Sequence, residues 1–403
     1  MAEKQNTPEI RFEGFTDPWE QRKLGELCTI SKGHGYSKAD IRDVGTPLIL
    51  YGRLYTQYES RIENVDTFAV EQEGSLLSKG NEVIVPASGE TAEDIAVASS
   101  VRRSGIIFGG DLNVVTPVSK LDPDYIALAI TYSKAHDDLA KRAQGKSVVH
   151  VHGNDIAEVE IPYPSESEQK RISTVVLGLD SLITLHQRKY DKLCTVKKSM
   201  LDKMFPKPGE TEPEIRFEGF TDPWEQRKLG NCGTTYGGLN GKTKEDFGHG
   251  NARFIPYTNV FDNPLTDTKR LEAVEIDSSQ NQVAYGDAFF TVSSETPDEV
   301  GMSSVWLSDQ EDVYLNSFCF GYRQDSTFDP HYLAYMLRSR SVRSNLTLLA
   351  QGISRFNISK NKVMELSVPV PSAVEQKQLG QYFTKLDSLI TLHQREPRFA
   401  DTG

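Results

Sequence analysis

The sequence is poor in cysteine and has no long apolar segment. Its four cysteines, Cys28, Cys194, Cys232 and Cys319, lie far apart and form no Cys-x-x-Cys pair, so neither a disulfide framework nor a cysteine-based zinc site is expected. No apolar run approaches the roughly 20 residues that cross a bilayer, and the polar stretch 1–7 lacks the character of a secretory leader. These absences predict a cytoplasmic protein with reduced thiols.

Positive charge is also scarce. Lys and Arg together number 45 against 57 Asp and Glu, which gives a formal net charge of −12. A protein that coats nucleic acid without regard to sequence is usually basic, so this balance argues against that class. A DNA-reading protein is still compatible with it if the basic residues gather on one face. The length of 403 residues and the 37% of hydrophobic residues fit two or three ordinary globular domains.

No catalytic or metal-binding motif is complete. Residues 237–243 read GGLNGKT, in which the first glycine lies one position too close to Gly-Lys-Thr for a phosphate-binding loop. The Asn-Pro pair at 263–264 is followed by Leu-Thr rather than by the proline and aromatic residue of an amino-methyltransferase motif. His150-x-His152 has no further ligand at suitable spacing, so a phosphate or solvent contact is favoured over a metal. We therefore expect no active site, metal or cofactor on this chain.

The dominant feature of the sequence is an internal repeat. The eighteen residues PEIRFEGFTDPWEQRKLG at 8–25 recur unchanged at 213–230, and LDSLITLHQR at 179–188 recurs at 386–395. Between these copies the two halves have diverged, although Ala-Gln-Gly precedes a similar stretch in both. One fold used twice is therefore predicted, in which the identical segments serve one role twice and the divergent segments serve different roles.

Each half is predicted to begin with β-rich structure and to continue with a helix. Short β-branched and apolar runs alternate with turn clusters of Gly, Asn and Ser. Examples are 82–86, 105–108 and 113–117. Asp122-Pro123 then supplies the N-cap and first residue of a helix through about Lys141, and Asp329-Pro330 opens its counterpart. This mixture predicts the α/β (α+β) class.

Two further helices are predicted to start at capping boxes, Ser165-x-x-Glu168 and Ser372-x-x-Glu375. The first has a heptad-like apolar seam and runs to about Met204, a length on the order of 55–60 Å. The seam residues expected to pack are Ile172, Val176, Leu179, Ile183 and Leu193 in the first helix, and Leu379, Leu386 and Leu389 in the second. Either each seam packs on its own domain, or the two similar seams pack against each other as antiparallel, coiled-coil-like helices. We favour the second arrangement.

These features divide the chain into two similar domains related by a pseudo-twofold axis and separated by the two helices. The predicted segments are 1–164 for the first domain, 165–206 for the long spacer helix, 207–371 for the second domain, 372–396 for a short C-terminal spacer helix and 397–403 for a tail. Pro397 is expected to cut the second helix short, because EPRFADTG follows Arg395 where KYDKLCTVKKSMLDKMF follows Arg188. The far half of the first helix would then lack a symmetric counterpart.

A set of short motifs occurs in the same order in both halves. The set consists of W-x-x-x-x-L-G at 19–25 and 224–230, I-P-x-P-S with E-Q-K at 161–170, V-P-V-P-S-A-V-E-Q-K at 368–377, and a Gln-Gly pair before each of the last two. Each motif alone is weak, but their order over essentially the whole chain is specific. Together they resemble the specificity (S) subunit of type I restriction-modification systems.

The resemblance implies two target-recognition domains, each of which reads one half of a bipartite double-stranded DNA site. The helices would fix the distance between the half-sites, at about 3.4 Å per base pair. It also implies two methyltransferase subunits docked on the repeated regions and restriction-translocase subunits that join for cleavage. Adenine methylation would belong to the partner, which extrudes the base from the stack. S-adenosylmethionine, ATP and Mg²⁺ would likewise be bound by the partner subunits.

The residues expected to contact DNA are basic, amide and imidazole side chains and the glycines beside them, because phosphates attract Lys and Arg while base edges pair with Arg, Asn or Gln. In the first domain they are Lys32, Lys38, Arg53, Arg142, Gln144, Gly145, Lys146 and His150. In the second domain they are Lys242, Lys244, Arg253, Asn259, Gln351, Gly352, Arg355, Asn357 and Lys360. The Gln-Gly turns carry most weight, because they recur and glycine permits a close backbone approach. A shared structural turn is the alternative for these turns, and a solvated surface charge is the alternative for each other basic residue.

Two other functions stay open on the sequence alone. A self-contained DNA-modifying enzyme, a methyltransferase or nuclease with an unrecognised active site, would act on DNA without a partner. A duplicated scaffold or carbohydrate-binding protein would suit the acidic charge, but it would not show DNA binding that weakens steeply with salt.

Overall fold

The computed structural model describes residues 7–118 and 120–394. The chain divides into two compact units, Met1–Leu185 and His186–Gly403, and the division falls within one long helix. The predicted tail 397–403, with Pro397, lies outside the described residues. None of the helices in the described ranges combines the length and apolar composition that a bilayer crossing requires.

The first unit is built on two five-stranded sheets and two short two-stranded ones within its described residues. The strands are β1 (Glu20–Lys23), β2 (Cys28–Lys32), β3 (Ile41–Arg42), β4 (Thr46–Ile49), β5 (Arg61–Ile62), β6 (Phe68–Ala69), β7 (Leu77–Lys79), β8 (Glu82–Pro86), β9 (Ser88–Gly89), β10 (Ser99–Val101), β11 (Ser104–Phe108), β12 (Leu112–Pro117), β13 (Val149–His150) and β14 (Glu160–Tyr163). Their orders in the sheets are β2-β12-β8-β10-β5, β3-β6-β4-β11-β7, β1-β14 and β13-β9. The predicted strand at 82–86 is confirmed as β8, which is buried along its whole length.

The helices of the first unit surround these sheets. They are α1 (Leu24–Leu27), α2 (Arg53–Thr56), α3 (Ala92–Ile95), α4 (Pro123–Tyr132), α5 (Lys134–Arg142), α6 (Gly153–Ala157) and the first part of α7 (Glu166–Lys203), with a 3-10 turn at Lys38–Asp40. As predicted, Asp122 caps α4 by accepting a hydrogen bond from the backbone N–H of Asp124. The prediction of one helix through Lys141 is wrong, because Ser133 adopts an extended backbone (φ −106°, ψ −174°) and its hydroxyl caps a new helix, α5.

The second unit repeats this plan with fewer and longer strands among its described residues. They are β15 (Glu225–Lys228), β16 (Gly233–Gly237), β17 (Phe247–Ile255), β18 (Glu272–Val274), β19 (Ala288–Thr291), β20 (Ser293–Ser294), β21 (Ser303–Val305), β22 (Val313–Leu315), β23 (Cys319–Gln324), β24 (Phe356–Asn357) and β25 (Ser367–Val370). The helices are α8 (Tyr257–Asp262), α9 (Pro330–Met336), α10 (Arg340–Leu348), α11 (Lys360–Met364) and α12 (Ala373–Gln394), with 3-10 turns at Leu229–Asn231, Lys244–Asp246 and Pro297–Glu299.

The two units share one topology. The antiparallel order β2-β12-β8-β10 corresponds to β16-β23-β19-β21. The parallel pair β4–β11, flanked by antiparallel β6, corresponds to the parallel pair β17–β22, flanked by antiparallel β18. The two-stranded ladders β1–β14 and β13–β9 correspond to β15–β25 and β24–β20. The prediction of one fold used twice is therefore confirmed.

The apolar seams of the long helices pack mainly on the cores of their own units. Ile172 packs against the first core, while Leu379 and Leu386 are buried in the second core because α12 lies against α9. The expectation that the seams bury each other is wrong for Leu179 and Ile183, which are 54% and 59% exposed. The remaining seam residues are half-buried: Val176, Leu193 and Leu389.

The far part of α7 belongs to the second unit and runs antiparallel to α12 there. The rings of His186 and His393 lie 5.1 Å apart, and those of Phe205 and Phe383 lie 5.8 Å apart. The numbers thus rise along one helix as they fall along the other, which confirms the predicted antiparallel pairing within this unit. With 38 residues, α7 is about 57 Å long at 1.5 Å per residue.

Candidate nucleic-acid interface

The two Gln-Gly sequences form equivalent hairpin turns on the surfaces of their units. In the first, the backbone N–H of Gln144 donates to the carbonyl of His150 (3.0 Å) and the reverse bond is 2.8 Å. In the second, Gln351 and Asn357 exchange the same two bonds, both 2.9 Å. Each turn therefore holds five residues between two reciprocal backbone hydrogen bonds, and the two turns share this pattern.

Glycine is required in both turns for a steric reason. Gly145 and Gly352 have φ values of +143° and +144°, which side-chain-bearing residues rarely adopt. A Cβ atom on Gly145 would lie 1.9 Å from the carbonyl oxygen of Val148, and one on Gly352 would lie 2.0 Å from that of Arg355. The recurrence of Gln-Gly in the sequence thus reflects a shared backbone, as the structural alternative predicted.

Each turn is anchored to its unit by a short antiparallel ladder and a tyrosine. β13 pairs with β9 in the first unit, and the hydroxyl of Tyr55 donates to the carbonyl of Ser88 at 2.8 Å. Tyr257 makes the same 2.8 Å bond to Ser293 in the second unit. Burial raises the pKa of both phenols above the usual value, so each hydroxyl stays protonated and able to donate. The register of the repeat pairs Tyr257 with Tyr51, whereas in the structure the equivalent hydrogen bond of the first unit is made by Tyr55, four residues further along the chain.

The tips of the two turns carry different side chains on the same backbone. Lys146-Ser147-Val148 occupies the first tip and Ile353-Ser354-Arg355 the second, and all six residues are exposed. The predicted residues Gln144, His150, Gln351 and Asn357 lie at the bases of the turns and are also exposed. The first tip thus offers one cation before the shared serine, whereas the second offers an aliphatic group before it and a guanidinium after it.

A second matched pair of lysines lies on the 3-10 turns. Lys38 and Lys244 are each the first residue of such a turn, which is closed by a capping box between Ser37 and Asp40 in one unit and between Thr243 and Asp246 in the other. Both lysines are exposed, as are two further predicted residues, Lys32 at the end of β2 and Lys360 at the start of α11. Exposed lysines in these places are available for phosphate contact.

Several other predicted contact residues are engaged inside their own units. Arg53 forms ion pairs with Glu59 (2.8 Å) and Asp66 (3.1 Å) and is largely buried. Lys242 pairs with Asp277 at 2.7 Å, and this bond lowers the pKa of the Asp277 carboxyl well below its usual value. A phosphate would have to displace a carboxylate at either site, so these two residues are weaker candidates than the exposed lysines.

The remaining three predicted residues differ in their availability. Arg142 is partly exposed and contacts Asp138 one helical turn away at 3.2 Å, while Arg253 donates to carbonyls of its own strand. Asn259 is fully buried, and its amide donates to the carbonyls of Asp267 and Arg270. This corrects the expectation that Asn259 faces DNA, because its hydrogen-bonding capacity is used to fix a loop of the core.

The repeated segments form a clamp that sequence reasoning assigned differently. The Ser165 hydroxyl accepts the backbone N–H of Glu168 as predicted. The Glu168 carboxylate, instead of closing a capping box, accepts hydrogen bonds from Nε and Nη2 of Arg11, both at 2.7 Å. The second unit repeats this with Arg216 and Glu375, at 2.7 and 2.9 Å. The identity of the two segments was a signal that this contact occurs twice.

The Gln of each Glu-Gln-Lys motif completes the clamp. Gln169 accepts the backbone N–H of Asp122 at 3.0 Å and donates to the carbonyl of Pro164 at 2.8 Å, so it joins the start of α4 to the end of β14. Gln376 makes the equivalent bonds in the second unit, at 2.8 and 3.0 Å. The glutamine of the motif therefore links, inside each unit, the start of one helix to the end of one strand.

No cluster of three or more His, Cys, Asp or Glu side chains suited to a metal ion occurs among the described residues. The Nδ1 atom of His150 lies 3.1 Å from the hydroxyl of Ser88.

Comparison with known proteins gives a consistent result. Residues 16–194 and 221–398 match the family model of the type I restriction modification DNA specificity domain. Two curated specificity subunits of Methanocaldococcus jannaschii are similar over 98% of this chain and 92% of their own length: that of the type I restriction enzyme MjaVIII, 20% identical, and that of the putative enzyme MjaX, 21% identical. The crystal structure of a type I restriction-modification S subunit from M. genitalium has the same fold, with a TM-score of 0.54 at 14% identity over 96% of this chain and 94% of that one.

Proposed function

This chain belongs to the type I restriction modification DNA specificity domain family, which it matches twice, and we propose on this basis that each unit reads one half of a bipartite double-stranded DNA site. The observation that carries the proposal is the pair of turns at 144–150 and 351–357. Their backbones are the same, whereas their exposed tips differ. Two domains that read different DNA sequences require a common backbone that carries different side chains.

The chemistry of the tips suggests how the two readings differ. A guanidinium such as that of Arg355 pairs with the two acceptors of a guanine in the major groove, and the aliphatic Ile353 beside it suits the methyl group of a thymine. Lys146 in the first tip offers a single point charge for a guanine or a phosphate. Lys38 and Lys244, the first residues of their matching 3-10 turns, would hold phosphates and set the position of each unit on the duplex.

The chain would act as the non-catalytic member of a complex. Identical segments at 8–25 and 213–230 suit two copies of one partner, and we assign these partners as two methyltransferase subunits, joined by restriction-translocase subunits for cleavage. Adenine methylation and the binding of S-adenosylmethionine, ATP and Mg²⁺ would belong to those subunits, and the complex would work in the cytoplasm. The helices would set the spacing of the half-sites.

An exchange of the turn tips tests the reading proposal. The double substitution Lys146→Ile with Val148→Arg gives the first turn the tip of the second. Methylated adenines would be mapped in a host that carries this variant with its methyltransferase partner. We expect one half of the target to change and the other half to be retained, and the reciprocal exchange, Ile353→Lys with Arg355→Val, should alter only the opposite half.

Matched controls keep the result interpretable. Substitution of the shared Ser147 and Ser354 positions by alanine leaves the difference between the tips in place, so a change of target confined to the exchanged variants assigns the reading to residues 146, 148, 353 and 355. A change in both halves, or in neither, would contradict the modular reading. The purified chain alone should transfer no methyl group from labelled S-adenosylmethionine to mixed DNA, and transfer without a partner would favour a self-contained enzyme.

A further inference from the structure

The two residues that follow α7, Met204 and Phe205, fill a groove in the second unit. Met204 and Phe205 are 3% and 2% exposed there. The Phe205 ring lies 6.2 Å from that of Trp224 and 5.8 Å from those of Tyr332 and Phe383. One apolar helix end therefore completes the aromatic core of this unit.

The first unit has an equivalent groove, and among the described residues no segment fills it as Met204 and Phe205 fill the second. Its walls are formed by the repeated segment 8–25 and the first part of α7, and a cavity of about 270 Å³ opens between them. We call this cavity the first-unit groove; the apolar residues that line it are Ile10, Phe12, Trp19, Ile172, Val175 and Val176. By the repeat, Trp19 corresponds to Trp224 and Val176 to Phe383. Ile10 is 91% exposed where its counterpart Ile215 is 37% exposed, and Trp19 is half-buried where Trp224 is buried.

The first unit also retains, by the repeat, the two acidic positions that pair with lysines of the filling segment in the second unit. In the second unit, Lys203 pairs with Glu214 at 2.8 Å and Lys197 pairs with Asp387 at 2.5 Å. The positions in the first unit that correspond to these carboxylates are Glu9 and Asp180. Among the described residues neither forms an ion pair with Lys or Arg, although Asp180 accepts a hydrogen bond from Ser60. The groove thus has the apolar walls and the charges of a helix-binding site.

The sequence of residues 189–205, with its closing Met-Phe, occurs once in this chain, and it is already packed in the second unit. We propose that the first-unit groove binds, in trans, a helix of a separate polypeptide. The helix would carry an apolar face ending in Met-Phe, like that of Leu193, Met200 and Phe205, and lysines placed to reach Glu9 and Asp180. This docking is independent of which DNA sequence the units read.

A peptide with the sequence of residues 189–206 of this chain, labelled with fluorescein, is the probe. Its anisotropy would be titrated with the full-length protein under reducing conditions. Saturable binding is expected, with a shift of Trp19 fluorescence to shorter wavelength as the indole is covered; Trp224 and Trp306 are already buried. The same peptide with Phe205→Ala should bind at least about tenfold more weakly, because a buried phenyl ring is lost.

Protein variants locate the binding. Val176→Asp should abolish it, while Thr174→Asp, which adds the same charge to an exposed position of α7 that does not line the cavity, should leave it unchanged. A Lys203→Glu peptide should bind weakly to the wild-type protein and regain affinity for a Glu9→Lys protein. These peptide changes leave the fold of the protein untouched.

The proposal is overturned if the peptide does not bind, or if Phe205→Ala in the peptide or Val176→Asp in the protein has no effect. Concentration-dependent dimerisation that Val176→Asp abolishes would assign the groove to a second copy of this chain instead. Stronger peptide binding after deletion of residues 397–403 would assign it to the chain's own terminal residues. Either result would overturn docking in trans of a separate polypeptide.

Discussion

Removal of one ring, that of Phe205, should destabilise the second unit. The ring is 2% exposed and contacts three other aromatic rings, so Phe205→Ala removes a large buried apolar surface and leaves a cavity among side chains that cannot close over it. Comparable substitutions cost about 3–5 kcal/mol of the free energy of unfolding. For a unit of this size, that loss lowers the melting temperature by roughly 6–20 °C.

The three tryptophans allow the two units to be followed separately. Trp224 and Trp306 lie in the second unit and Trp19 lies in the first. In a Trp19→Phe background, fluorescence reports the unfolding of the second unit alone, and in a background with Trp306→Phe and Trp224→Phe it reports the first. Urea and thermal unfolding of each background, with and without Phe205→Ala, gives the change in stability of each unit.

The expected result is a loss of about 3–5 kcal/mol in the second unit and a much smaller change in the first, since the ring contacts given by the structure all lie in the second unit. Leu185→Ala, which truncates an exposed apolar residue of α7, is the matched control and should cost less than about 0.5 kcal/mol. A loss below about 1 kcal/mol for Phe205→Ala, or an equal loss in both units, would refute the packing argument.

Three further predictions concern single sites. Gly352→Ala should cost about 1–3 kcal/mol through strain, because φ is +144° and the added Cβ would meet the Arg355 carbonyl at 2.0 Å; it should weaken binding to one half-site, as measured by titration of labelled duplexes. Asn259→Ala should lower the free energy of unfolding by about 1–3 kcal/mol, because buried groups lose their partners, while the methylated sequence stays the same. Burial, followed by the positive charges of Lys189 and His186, lowers the pKa of His393. The helix pairing should therefore weaken as the pH falls below about 6.5, the ordinary pKa of histidine, and His393→Gln should flatten this pH dependence in unfolding measurements.

The repeat, the starts of two helices and one buried strand could be predicted because each is visible as a pattern in the sequence. Identical segments, Asp-Pro helix starts and the buried run at 82–86 each depend on neighbours along the chain, and the structure bears them out. The break at Ser133 was not readable, since a serine inside a helical pattern gives no sign that its hydroxyl will cap a new helix rather than face solvent.

For the candidate interface, the sequence predicts residue types but not which side chains are free to contact DNA. Lys38 and Lys244 are exposed, as expected of surface charges. Arg53 and Lys242 instead form ion pairs with acidic residues that lie from 6 to 35 residues away in sequence. Asn259 has the residue type that pairs with base edges, but its burial confines the amide to partners inside the unit. Side-chain availability depends on tertiary neighbours, and composition and spacing carry no information about these.

The clamp between the beginning and the end of each unit has a consequence for how such genes change. Arg11 with Glu168, and Arg216 with Glu375, seal both units through the same pair of groups. Residues 26–160 therefore lie between two segments that are joined by the same ion pair in both units. If each unit reads one half-site as proposed, recombination that replaces this stretch alone would exchange one reading surface and leave the Arg11–Glu168 pair in place.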